Sequence, residues 1–341
     1  MKLASLTVDG VRRAAAVDAT DRFVSLPPKD ARRNETDRSV ALLPGHDRVR
    51  PAGPRAGHVG SNETDRFVAL LPRHVGTVDD IVRGGTAAVD AARAAVAGAE
   101  IRPLSEVRLE SPLHRFNRDI LCTGWNYLDH FEESRGKREG QDPVSVPERP
   151  TFFTKGPDTV IGPTDDIAYD PDISTSWDYE AEIAMVIGRD GRSIPEEKAL
   201  EHVFGFLVAN DVSQRDLQRA HGGQWLKGKS LDATMPLGPW LTTADEIDDL
   251  AGLQVQCEVN GRLLQNASSG QMAFSFARII AELSHGMTLR AGDVILTGTP
   301  SGVGNAREPQ IFLRDGDVVV TRVSGLGELR NTVTLTQLTW E

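Results

Sequence analysis

SWDYEAEIAMVIG, residues 176–188, alternates acidic with other residues and then turns fully apolar. In a strand, successive side chains point to opposite faces. Tyr179, Ala181 and Ile183 would then share one face, and Asp178, Glu180 and Glu182 the other. The apolar end, 184–187, reads as a buried strand. Like charges on one buried face repel, and burial sharpens the conflict. A bound cation would resolve it. Further on, a second apolar run, VFGFLVAN, ends at Asp211. Glu180, Glu182 and Asp211 make an oxygen-only set, which suits Mg²⁺, Mn²⁺ or Ca²⁺ rather than zinc. Three carboxylates leave coordination positions for water and substrate. Asp178 reads as a neighbour of the set rather than a member.

The text around this run sets the fold class. From residue 112 onward, short apolar runs alternate with Gly, Pro and Asp turns, and Asn260–Gly261 between two alternating runs signals a hairpin. Helical spacing is confined to 196–203 and 271–284. An α+β, predominantly β architecture follows, a sandwich or barrel-like roll spanning 112–341. Residues 1–105 read as a smaller N-terminal α/β domain. It has short strands about a turn at Asp9–Gly10 and a helix over 77–97, started by Thr77 with Asp80 and interrupted at Gly84–Gly85. Within it NETDRSVALLP (34–44) returns as NETDRFVALLP (62–72), with a shorter echo, TDRFVSLP, at 20–27. The spacers are rich in Pro, Gly and Arg, so a tandem duplication is expected, with 28–61 a mobile insertion.

Bulk composition narrows the function. The 341 residues are 39% hydrophobic and carry a net charge of −11, which argues against nucleic acid as the main partner. Cys122 and Cys257 form no CxxC motif. The opening MKLASLTVDG lacks the apolar stretch of a signal peptide, and no run of apolar residues is long enough to span a membrane. A cytoplasmic protein is expected.

Other residues could carry chemistry. In GWNYLDHFEES, His130 and Glu133 are spaced to share a helical face, as a carboxylate-oriented general base requires. Lys229, in KGKSLDATMP, could stabilise developing negative charge, with Lys227 as its rival. DVILTGTPSGVG (293–304) offers backbone N–H groups and the Thr299 hydroxyl to a carboxylate. His202, His221 and His285 lack a comparable partner and read as structural or exposed.

Taken in order, LCTGWNYLDHFEE, DYEAEIAMVIG, FLVANDVSQRDLQ, GKSLDATMPLGPW and AGDVILTGTPSGVG resemble the fumarylacetoacetate hydrolase family, over about 112–335. The resemblance implies a mixed β-sandwich roll, a homodimer and a divalent metal, Mg²⁺ or alternatively Mn²⁺ or Ca²⁺, on Glu180, Glu182 and Asp211. It implies His130 and Glu133 as a water-activating dyad, Lys229 as the catalytic lysine, and Arg215, Gln218 and Thr299 as substrate contacts. The expected reaction is hydrolysis of a C–C bond in a β-diketo acid of the acylpyruvate type through a metal-stabilised enolate. The alternative is an isomerase or decarboxylase of a 2-oxo diacid or oxaloacetate on the same scaffold. A non-catalytic binder of metal and keto acid is the remaining reading.

Overall fold

The computed structural model describes residues 1–18, 66–135 and 142–339. The echo at 20–27, the copy at 34–44 and the expected insertion lie outside them. So does the start of the 62–72 copy.

Two sheets dominate. The larger has twelve strands. Its main path runs Glu100–Pro103, Phe67–Leu70, Val11–Asp18, Lys2–Val8, Met235–Thr243, Val203–Asn210, Ala181–Ile187, Val294–Leu296, Ile120–Gly124, Thr151–Lys155. The second has five strands, in the order Arg262–Ser268, Gln254–Val259, Val318–Val323, Gly327–Leu335, Ile167–Tyr169. Most pairings are antiparallel, but Val294–Leu296 runs parallel to Ile120–Gly124. The arrangement is the predominantly β, mixed-sheet fold expected from the sequence.

Both hairpin signals hold. Asn260 and Gly261 take φ of 52° and 77° between the paired Val259 and Arg262. Asp9 and Gly10 (51° and 72°) do the same between Val8 and Val11. These positive angles give the turn a twist that matches the strands it joins.

The 176–188 run is a strand in two pieces. Trp177–Asp178 pairs with Ser213–Gln214, and Ala181–Ile187 pairs with Val203–Asn210. Ala181–Ile187 is buried on both faces. Ile183, Met185 and Ile187 enter the core between the sheets, with Phe206, Val255 and Ile279. Ala184 and Val186 enter a second core, closed by Ile81, Val82 and Val89 of the first helix.

That helix, α1 (Val78–Val96), begins with the expected capping box: Thr77 Oγ1 accepts from Asp80 N, and Asp80 Oδ2 accepts from Thr77 N. Its kink falls at Gly85, with φ 61° and ψ −151°. Three further helices among the described residues are short: α2 (Leu128–Glu133), α3 (Arg215–Ala220) and α4 (Phe276–Ser284). Two helical expectations shift. The 196–203 stretch is a 3₁₀ helix, Glu196–His202. The 271–284 helix begins only at Phe276, because Ser275 caps it by accepting from Arg278 N.

The N-terminal strands continue the main sheet. Lys2 and Leu3 pair with Thr242 and Leu241, so the strands expected to form a smaller domain extend the sheet that carries the acids. Among the described residues no helix is long and apolar enough to cross a membrane.

Candidate active site

Glu180 sits in the gap between the two strand pieces, Glu182 on Ala181–Ile187, and Asp211 just past Val203–Asn210. Hydrogen bonds fix this junction: Asp211 N donates to Glu180 O, and Glu180 N to the Asn210 side chain. One carboxylate oxygen from each acid lies within 4.8 Å of the others, all buried.

Lys229 follows the 3₁₀ turn Leu226–Gly228 and is almost fully buried, while its rival Lys227 is exposed. Its Nζ donates to Glu180 Oε2 and Asp211 Oδ2, both at 2.7 Å. Arg215 opens α3; its Nη2 lies 2.6 Å from Glu180 Oε1, and its Nε donates to Asp178 Oδ2. Gln218, one turn on, accepts from Arg215 Nη1.

These cations divide the acids electrostatically. Burial works against ionised Glu180, yet Lys229 and Arg215 hold its carboxyl down to about 2. Burial, Asp211 and Glu180 together push Glu182 well above the usual carboxylate range. Among the described residues Glu182 has no ion-pair partner; its Oε2 accepts from Gly298 N at 2.7 Å. A buried carboxylate facing two others, with no cation of its own, is the arrangement a hard divalent ion would neutralise. The three acids therefore fit such a cation.

His130 and Glu133 share α2 as the spacing required. His130 Nδ1 lies 2.7 Å from Glu133 Oε1, and the Trp125 ring stacks on the imidazole at 5.3 Å. His130, Glu180, Glu182, Arg215, Gln218, Lys229 and Thr299 line one small pocket with about 30 Å³ of free space. Asp211 lies beneath it, wholly buried, and Glu133 stands behind His130. Thr299 reaches the wall with its hydroxyl engaged, donating to Ala181 O and accepting from Gln265. The histidines read above as structural or exposed stay apart: His202 is bonded to Arg189, and His221 and His285 are exposed.

The glycine-rich loop after Val294–Leu296 does something the sequence reading missed. Its backbone N–H groups hold the protein's own carboxylates. Gly298 donates to Glu182, Gly302 to Glu133 Oε2, and Gly304 and Asn305 to Asp178. Asp178 is thus turned away from the acid cluster towards this loop. Glycine is required where the chain runs closest: a Cβ on Gly304 would lie 1.7 Å from Ile311 O, and one on Gly302, whose φ is +106°, 2.1 Å from Leu264 O.

Three more residues were not singled out beforehand. Lys155 is fully buried, with Nζ 2.9 Å from Asp211 Oδ1 and donating to Val212 O. Trp125 and Trp225 line the pocket beside Phe153. The lone basic residue in the apolar stretch TFFTKGP was the available signal for Lys155. Trp125 lies in the same GWNYLDHFEES stretch as the His130 it stacks on, which was its signal; Trp225 gave none, since its partners Trp125 and Phe153 are remote in sequence.

The family model for the fumarylacetoacetate (FAA) hydrolase C-terminal region matches residues 119–334, which contain every one of these site residues. The chain belongs to the fumarylacetoacetate hydrolase family. It is 42% identical over 236 residues, 69% of this chain and 76% of the relative, to oxaloacetate tautomerase YisK of Bacillus subtilis. It is 43% identical over 251 residues (73% and 76%) to the mitochondrial oxaloacetate tautomerase fahd2 of Xenopus laevis. Among solved structures, fumarylacetoacetate hydrolase from psychrophilic Exiguobacterium antarcticum superimposes with a TM-score of 0.74 at 32% identity, covering 98% of this chain and all of that one. A 5-carboxymethyl-2-hydroxymuconate delta-isomerase from Mycobacterium smegmatis gives 0.67 at 26% identity, over 98% and 100%. This member of the fumarylacetoacetate hydrolase family is therefore an enzyme whose relatives include both hydrolases and isomerases. The curated relatives favour the isomerase alternative over the hydrolase expected first.

Proposed function

We propose that this enzyme interconverts the keto and enol forms of a short 2-oxo diacid of the oxaloacetate class, with Mg²⁺ held by Glu180, Glu182 and Asp211. One observation carries the reading. His130, oriented by Glu133, faces the same small pocket as the acid cluster and Lys229. Keto–enol exchange needs a proton taken from the carbon beside a carbonyl and one returned to the oxygen, with no other bond broken. With Nδ1 engaged by Glu133, Nε2 of His130 is left to carry that proton. The bound cation supplies polarisation of the 2-oxo group. Lys229, lifted above the usual lysine value by Asp211 and Glu180 although burial opposes it, stays charged and adds positive potential where the enolate develops. Gln218, steadied by Arg215, offers its amide to a substrate oxygen. Thr299 joins it as a contact by rotating its hydroxyl away from Ala181 O.

C–C hydrolysis is the second reading, favoured by the likeness to the Exiguobacterium hydrolase and by the dyad's ability to activate water. Decay of enol-oxaloacetate absorbance, followed with chelator-stripped protein before and after adding Mg²⁺, separates the two. Acceleration that depends on Mg²⁺ and is lost in His130→Ala supports the tautomerase. Absence of acceleration, with keto-acid release from an acylpyruvate, would replace it with the hydrolase.

A further inference from the structure

The proposed reaction acts on the 2-oxo head group, and the walls of the pocket decide how long a tail may follow it. One wall of the pocket is a run of rings in mutual contact. From His130 it passes to Trp125, stacked at 5.3 Å, then to Trp225, edge-on at 5.8 Å, then to Phe153 at 5.0 Å. Lys229 Nζ lies 5.1 Å from the centre of the Phe153 ring. The rings thus bridge the two groups proposed to move the proton and to hold the enolate. Trp225 presses directly on the main chain at Gly124, where a Cβ would lie 2.6 Å from its ring. Trp225 is itself only partly buried, unlike the aromatic residues of the cores. The free space in the pocket is small, about 30 Å³, and these rings form one of its walls.

The wall also carries unspent polarity. Trp125 Nε1 and Thr123 Oγ1 are buried without a hydrogen-bond partner among the described residues, and both residues line the pocket. Buried donors are normally paired. Both atoms are themselves shut off from solvent, so the rings rather than these polar atoms meet a ligand's tail.

We propose that Trp225, seated on Gly124 and braced by Trp125 and Phe153, limits this enzyme to short 2-oxo acids. The inference rests on the proposed 2-oxo acid chemistry and names the substrate range of that site. A single methylene accommodated or refused by such a pocket changes affinity by about 10–200-fold. Removing the Trp225 ring therefore opens the site to longer acids.

The test is displacement of oxalate from the Mg²⁺-loaded full chain, followed by calorimetry. The competitors are pyruvate and 2-oxooctanoate, which share a head group and differ in tail. In the unaltered protein 2-oxooctanoate should bind at least tenfold more weakly than pyruvate. In Trp225→Ala that ratio should fall at least tenfold, with Trp225→Leu reporting the same trend should the alanine variant not fold. Equal binding of both acids by the unaltered protein, or an unchanged ratio in the folded variant, would overturn the wall. Enol-oxaloacetate decay on the same preparations keeps the two ideas apart. Length discrimination without tautomerisation removes the proposed reaction and leaves the wall. Tautomerisation without length discrimination does the reverse.

Discussion

Glu182 is the site acid that ionises at the greatest disadvantage in the bare protein. Burial, Asp211 and Glu180 raise its folded value far above that of an unfolded chain. A group raised in this way lowers stability as pH climbs from its unfolded value towards its folded one, because the unfolded chain releases the proton first. Glu182→Gln, which mimics the protonated form, should therefore stabilise metal-free protein at neutral pH. We expect its melting temperature in chelator to rise by about 2–4 °C, the shift about 1 kcal/mol gives in domains of 150–250 residues. The same variant should lose the further rise that Mg²⁺ gives the unaltered protein. His130→Ala should behave in the opposite way. It lies outside the three-carboxylate set, so the Mg²⁺-induced rise should persist while turnover falls by about 10²–10⁴-fold. A variant that lost both together would move His130 from proton transfer to site assembly.

At the level of elements, the strand Phe67–Leu70 has a history written in the repeats. Its partner residue Asp18 pairs with Phe67. The chain leaving Asp18 reads Ala19, Thr20, Asp21, Arg22, Phe23, and the same Thr-Asp-Arg-Phe returns as Thr64, Asp65, Arg66, Phe67. Deleting residues 23–66 would thus join Arg22 to Phe67 without changing the local sequence, and four residues would close an ordinary hairpin. The shortened chain should fold with unaltered Mg²⁺ response and turnover; loss of soluble protein would show that the duplicated text is needed. How far such elements can be read beforehand depends on the distance over which their cause acts. The acids of 176–188 were legible because strand periodicity is local, and His130 with Glu133 because a helical turn is. Lys155 was not paired beforehand, since its partner Asp211 lies just past another strand, remote in sequence. Nor was the fate of Asp178, whose partners Gly304 and Asn305 are set by how a distant loop folds back. The family resemblance chose Lys229 over Lys227 and supplied Arg215, which spacing alone left among ordinary basic residues.

For the molecule as a whole, the expected division at about 105–112 meets a sheet that crosses it. Lys2–Val8 covers the flank of Met235–Thr243, and Leu3, Ala14 and Ala16 share a core cluster with Ala184, Val186 and Leu241. A fragment of 112–341 would bare both a strand edge and that apolar face. We expect it to aggregate, or to bind a hydrophobic dye strongly, when expressed alone. A soluble fragment that still melts cooperatively would instead establish two independent folding units.

The glycine loop has a consequence for how this enzyme can fail. Glu182, Glu133 and Asp178 are each gripped by main-chain N–H groups of one short segment, so the proposed cation ligand, the proposed base orienter and the partner of Arg215 ride on a common chassis. Gly302→Ala, with roughly 1–3 kcal/mol of backbone strain, should displace that chassis as a unit. Calorimetric Mg²⁺ affinity and turnover would then decline in step across a urea titration, where independently mounted parts would drop out one after another. The loop makes the geometry of the site a single mechanical coordinate.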